Sequence, residues 1–241
     1  MQENKAALRF AVAPEIFEII PSLCFGLVLA DGIDNTGDHP EIAVLLNGAA
    51  ERARARFEGR RVKDDGQIIP YREAFRAFGV NPNRYRCSIE ALFTRISRGL
   101  ELPHINPIVD LGNAVSLDYT LPVGAHDVSH GGEMSVRLAK SGDIFFPLEG
   151  GEPETPDEGE AVYAVGHEIR TRRWTWRQSA HGRIEPDTRR VFFPLDGFEG
   201  TNEGSVIAAR DALARALERS FGCKTAVAYV NARCPSVEMS V

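Results

Sequence analysis

The period of the hydropathy changes near residue 130, and that change limits the folds open to this chain of 241 residues. Before it, apolar side chains recur three and four positions apart: Ile42, Leu45, Leu46 and Ala49 after Pro40, then Ile89, Leu92, Phe93, Ile96 and Leu100 after the prospective cap Ser88. Beyond it they alternate. Met134, Val136 and Leu138 are separated by Ser135 and Arg137, and short runs follow at 144–146, 161–165, 174–179 and 191–193. The mostly apolar stretch 19–29 reads as an early strand. A last helix carries Val206, Ala209, Leu213, Ala216 and Leu217, with Asn202 or Ser205 as cap and Gly222 as its left-handed stop, before a closing strand at 225–230. Helices followed by strands, without strict alternation, predict an α+β chain with sandwich- or barrel-like sheets and helices packed on them. The length suits a single domain over 1–241 with a sizeable core.

Composition removes several function classes. Residues 1–5 lack a basic segment leading into an apolar run, and the apolar stretch from 19 to 30 is broken by Pro21 and Gly26, so neither a leader nor a membrane span is expected and the reading is cytoplasmic. Cys24, Cys87, Cys223 and Cys234 form no C-x-x-C pair and read as reduced core or near-core residues. There is no P-loop, dinucleotide fingerprint, G-x-S-x-G elbow or H-E-x-x-H helix, and His126 and His130, though four apart, lie in a glycine-flanked loop. No metal and no cofactor is expected.

The net charge of −6 argues mildly against a nucleic-acid partner, but its distribution is uneven. Arg52, Arg54, Arg56, Arg60, Arg61 and Lys63 form one basic cluster, read as a solvated helix face because Glu51 and Glu58 are mixed into it. Arg170, Arg172, Arg173 and Arg177 form another. Acid is concentrated in the proline-rich stretch 149–160, expected to be an exposed loop.

Two segments stand out. Asn106 and Pro107 cap and open a helix over 107–117 that is apolar except for Asp110, Asn113 and Ser116. So apolar a helix is buried, and its polar groups need internal partners or a cavity. The second segment is 172–179. As a strand it puts Trp174, Trp176 and Gln178 on one face and Arg173, Thr175, Arg177 and Ser179 on the other. Rings beside guanidinium groups suit base stacking and phosphate binding, and equally suit a tryptophan core face under a solvated arginine face.

These residues resemble a known family. Ile105-Asn106-Pro107-Ile108-Val109-Asp110-Leu111-Gly112-Asn113-Ala114-Val115-Ser116-Leu117 is similar to the asparagine, VVD, NYV run in the editing domain of the phenylalanyl-tRNA synthetase beta subunit. Pro122 to Asp127 falls where that family has its P-L-H-A-F-D loop, and 85–92 with the tryptophan–arginine segment look still more like free-standing relatives of that domain. The resemblance covers about 72–200. It implies a domain that binds the acceptor end of a tRNA carrying an amino acid and hydrolyses the ester of a mischarged one in trans, with no part of the aminoacylation module. Asn113, His126 and Asp127 would line the pocket and orient water; Arg173, Arg177 and Gln178 would engage the terminal nucleotide or the amino acid; Pro122, Gly124, Trp176 and Ser179 would complete the site. Gly124 stands at the family's histidine position and His126 at its phenylalanine position, and the family's later glutamate has no counterpart, so tyrosine specificity does not carry over. A non-catalytic module binding tRNA or an amino-acid-like ligand, and a small-molecule hydrolase on the same scaffold, are the alternatives.

Overall fold

The computed structural model describes residues 7–241. Residues 1–6, on which the reading of the amino terminus rests, lie outside the described residues.

The apolar run in the twenties is strand β2, Leu23–Asp31, and its neighbour is β9, Arg190–Phe198. Both are buried nearly from end to end, which explains why neither alternates. With β3, His126–Asp127, and β10, Lys224–Asn231, they form a four-stranded antiparallel sheet in the order β10-β2-β9-β3. The second sheet contains β1 (Leu8–Val12), β4 (Gly132–Leu138), β5 (Ile144–Phe145), β6 (Ala161–Val165), β7 (Glu168–Arg172), β8 (Arg177–Gln178) and β11 (Ser236–Met239). Its order is β11-β1-β4-β6-β7-β5, with β8 paired to β7; β1 runs parallel to β4 and β5 to β7, and the other pairs are antiparallel.

The sheets meet through aromatic side chains. Phe10 of β1 lies 5.6 Å from Phe25 and 5.4 Å from Phe192, ring centroid to centroid. The other face of the small sheet carries α6, Glu203–Phe221, which rests directly on backbone. A Cβ on Gly26 would come within 2.9 Å of Val206 Cγ1, and one on Gly197 would overlap the same side chain, so glycine at both points lets helix and sheet approach. Helix α2, Pro40–Arg56, packs on α5, Pro107–Tyr119, which in turn packs on α6. The shorter α1 (Pro14–Ile19), α3 (Ile69–Ala77), α4 (Ser88–Ser97) and a 3₁₀ turn at Val62–Asp64 complete the helices.

The α+β class holds, and several boundaries differ from expectation. The strand expected from residue 19 starts at Leu23, because Pro14 opens α1 through Ile19. Ser88 is not the cap of α4; Cys87 holds that position, and the Ser88 N–H donates to Thr175 O at 2.9 Å, tying the start of the helix to a distant turn. Asn202 occupies the cap position of α6, but its side chain accepts from Phe198 N and donates to Tyr71 Oη instead of capping. The expected strand at 174–179 is mostly a turn: β7 and β8 form a hairpin with Thr171 opposite Gln178, joined through residues 173–176.

Candidate functional site: a cavity between helix α5 and the tryptophan–arginine hairpin

Helix α5 supplies one wall. The Asn106 side chain accepts from Val109 N at 3.0 Å, fixing its first turn. Asp110, buried as its apolar surroundings require, accepts from Ile105 N at 3.0 Å and pairs with His104 Nδ1 at 2.8 Å. Asn113, one turn on, makes no side-chain hydrogen bond with the described residues and faces a cavity of roughly 220 Å³.

The loop after α5 supplies the second wall by running along the edge of β9. Val123 bridges to Leu195, Gly124 N donates to Pro194 O at 3.0 Å, and Asp196 N donates to Pro122 O at 3.1 Å. This pairing turns His126 inward, where it is 2 % exposed. A Cβ at Gly124 would lie 3.0 Å from His126 Nε2 and 3.2 Å from Pro194 Cγ. Glycine here and histidine two residues on are therefore one packing solution: the imidazole borders the space that a side chain at 124 would need.

The hairpin closes the cavity. Arg173 and Trp174 take left-handed backbone conformations, with φ of 44° and 59°. Such strain costs roughly 1–3 kcal/mol per residue and persists only where packing over-determines it. Trp174 meets that condition: it is fully buried against Tyr71, Phe75, Phe78 and Phe198, its N–H donates to Ala161 O, and its Nε1 donates to Asp196 Oδ1 at 2.7 Å. Gln178 Nε2 donates to Ala125 O at 2.7 Å, pinning the hairpin to the loop opposite.

Asp196 is the residue that sequence reasoning missed. Tyr163 Oη and Trp174 Nε1 both donate to its Oδ1, at 2.6 and 2.7 Å, while Oδ2 receives no hydrogen bond from the described residues. Among the described residues no cation pairs with it, and burial pushes its carboxyl up to about 7 despite those two donors. A carboxylate interrupting the apolar run at 191–198 was the available signal. His126 shifts in the opposite sense: burial, with the positive charge of Arg170, lowers it to about 3, so the ring is neutral, and its Nδ1 is buried without a partner. The cavity thus holds two buried ionisable groups, each with an atom that the described residues leave unsatisfied.

Of the residues singled out from sequence, Asn113, Pro122, Gly124, His126, Trp176, Arg177 and Gln178 line this cavity together. Asp127, Arg173 and Ser179 do not. The next residue in its strand after His126, Asp127 accepts from Ser129 N and Thr188 Oγ1 at 2.8 and 2.6 Å and holds the neighbouring turn. Ser179 is fully buried, donating to Phe146 O and accepting from His181 N. The Arg173 guanidinium stacks 4.0 Å from the Tyr85 ring centroid and pairs with Asp157 at 2.8 Å. The acidic stretch is mostly exposed, as expected, but its carboxylates reach the arginines. Arg172 meets Glu154 and Glu160 at 2.6 and 2.8 Å, and Arg177 meets Glu149 and Glu154 at 2.8 and 3.0 Å.

Among the described residues no cluster of three or more His, Cys, Asp or Glu is placed to hold a metal ion, and no helix is long and apolar enough to cross a membrane. No curated protein matches the chain in sequence. Among solved structures it is similar to an N-terminal fragment of the phenylalanyl-tRNA synthetase beta subunit from Pyrococcus horikoshii, at 12 % identity and a TM-score of 0.47 over 92 % of this chain and 51 % of that one. The chain thus spans about half the length of that fragment. The B3/4 domain model matches residues 70–226, well over half of the sequence. The chain belongs to the B3/4 domain family, which it shares with the phenylalanyl-tRNA synthetase beta subunit.

Proposed function

We propose that this protein is a cytoplasmic aminoacyl-tRNA deacylase acting in trans. The observation that carries the reading is the cavity lined by neutral His126, whose Nδ1 is buried without a partner among the described residues, and by buried Asp196, whose Oδ2 receives no hydrogen bond from them, beside the amides of Asn113 and Gln178. Buried polar atoms without partners are costly, and a bound water or substrate that satisfies them removes that cost.

An ester linking an amino acid to a terminal ribose is already activated, so positioning and polarisation are enough to hydrolyse it. In this reading the neutral imidazole of His126 accepts a hydrogen bond from the attacking water, and the Asn113 amide N–H donates to the carbonyl oxygen as negative charge develops there. Water adds its oxygen to the carbonyl carbon and the bond from that carbon to the ribose oxygen breaks. One proton of the water ends on the ribose hydroxyl and the other on the released carboxyl group. Asp196 Oδ2 and the rings of Tyr163, Trp174 and Trp176 form a wall suited to the amino acid. Gln178 holds the loop carrying His126, and Arg177 lies at the cavity as its cation.

A second reading, a tRNA- or ligand-binding module without turnover, is favoured by one observation: Gly124 brings no side chain to the cavity where the resembled family has its loop histidine. Incubation with a panel of mischarged tRNAs at enzyme excess separates the two. Release of at least one amino acid supports the deacylase, and binding with no release of any supports the module.

A further inference from the structure

A second concave surface lies near the start of α4. Arg60, Arg61, Lys63, Arg86 and Arg98 converge around a groove of about 520 Å³ between the 3₁₀ turn, α3 and α4. Its floor is an electrically balanced pair: buried Arg72 donates to Glu90 at 2.5 Å, to Pro82 O at 3.1 Å and to Asn83 Oδ1 at 2.6 Å. The cations around that floor are largely free. Arg60, Arg61, Lys63 and Arg98 are exposed; Arg61 pairs with Asp64, while Arg60, Lys63 and Arg98 form no ion pair within 4 Å among the described residues. Arg86 stands 3.9 Å from Glu90, a longer separation than a charge-assisted hydrogen bond.

The expectation of a solvated helix face holds for Arg52 and Arg54, which are exposed on α2, and does not extend to the rest of the cluster. Arg52 and Arg56, from the same run of sequence, turn to Asp118 and to Asp65, Thr120 and Gln67, whereas Arg60, Arg61 and Lys63 lie beyond the end of α2 and join Arg86 and Arg98 from elsewhere in the chain. Helix α4 links this groove to the cavity, since Ser88 lines the cavity and Arg86 precedes it by two residues.

We propose that this groove is a binding site for the phosphodiester backbone of RNA. Guanidinium forks match phosphate oxygens two at a time, and a row of unpaired cations on an otherwise acidic protein concentrates positive potential at one place. A strand seated there leads toward the cavity along the start of α4, which is where an acceptor end would have to enter. In that respect the proposal rests on the deacylase reading, but its test does not read hydrolysis.

The test uses the full chain and an uncharged, fluorescently labelled RNA minihelix ending in CCA, followed by anisotropy across a salt series. The variant R60E/K63E/R98E reverses three exposed groove cations; R215E/R219E/K224E reverses three exposed cations on α6 and β10 and so makes the same change in net charge. Thermal melting confirms that both remain folded. The groove variant is expected to lose at least about tenfold in affinity at moderate salt, with the slope of log affinity against log salt shallower by about two to three, while the control loses less than about threefold. Equal losses in the two variants, no loss in either, or no binding of RNA by the unmodified chain each overturn the proposal.

Discussion

Two basic clusters that look alike in sequence are treated differently by the fold, although Arg52, Arg56 and Arg61 of the first meet Asp118, Asp65 and Asp64. Arg172, Arg173 and Arg177, in and beside the β7–β8 hairpin, each lie against carboxylates of the 149–160 stretch, some of them almost fully buried. Arg60, Lys63 and Arg98 line a groove and form no ion pair within 4 Å among the described residues. Charge in a sequence therefore does not reveal which charge is available to a ligand. The hairpin arginines stabilise a strained turn beside the cavity, and Glu149, Glu154, Asp157 and Glu160 are engaged with them. The groove arginines leave their field outside the protein.

The largest effect expected from this contrast is on stability. Arg172→Ala removes the two-pronged partner of Glu160, whose side chain is only 3 % exposed and keeps Arg173 at 3.5 Å, and is expected to cost about 3 kcal/mol in denaturant unfolding. Arg60→Ala is expected to change stability by no more than about 0.5 kcal/mol. Similar losses from the two would break the comparison.

A second contrast is between buried carboxylates: Glu160 has Arg172 and Arg173, whereas among the described residues Asp196 has only the neutral donors Tyr163 and Trp174. Because burial raises the Asp196 carboxyl from 3.8 to about 7, the folded chain holds a proton there that the unfolded chain has released. Its contribution to stability is complete below about pH 4 and is lost as the pH rises to about 7. His126, lowered from 6.5 to about 3, does the reverse, contributing fully above about pH 6.5 and losing that contribution as the pH falls. The two slopes oppose each other between about pH 4 and 6.5. Asp196→Asn keeps an acceptor for Tyr163 and Trp174 and removes the falling slope. Measured by denaturant midpoint, its stability relative to the unmodified chain is expected to rise with pH across that window by roughly 2–4 kcal/mol. Parallel profiles for the two proteins would contradict the placement of an unpaired carboxylate in the cavity.

Smaller effects sharpen the picture. Gly124→Ala presses a methyl group toward His126 Nε2 and Pro194 and is expected to destabilise by about 1–3 kcal/mol in thermal melts. Combining it with His126→Ala is expected to restore part of that loss, since the two side chains compete for one space. Glu149→Gln, at the exposed end of the Arg177 pair, is expected to cost below about 1 kcal/mol, and less still in high salt.

Much of the framework is legible from hydropathy. The apolar helix at 107–117 announces its own burial, and the need of its polar residues for partners is met by His104 and the Ile105 N–H for Asp110 and by the cavity for Asn113. The alternation at 134–138 and the glycine stop at Gly222 also appear where the pattern puts them. The hairpin is not legible. Its period-two sequence imitates a strand, while the left-handed turn at Arg173 and Trp174 is imposed by rings from α3 and from the end of β9. Asp196 is hidden for a similar reason: its two donors lie 33 and 22 residues away along the chain. The acidity of 149–160 is plain in composition, but which arginines it meets depends on how the second sheet folds back.

The central claim, that the cavity hydrolyses an aminoacyl ester, is tested most directly by single-turnover release of amino acid from a panel of mischarged tRNAs, with the unmodified protein beside His126→Asn and Asp196→Asn. The unmodified protein is expected to accelerate release from at least one member, and His126→Asn to slow that release by about a hundredfold while its melting temperature shows it still folded. No acceleration for any member, or a His126→Asn protein as fast as the unmodified one, would contradict it.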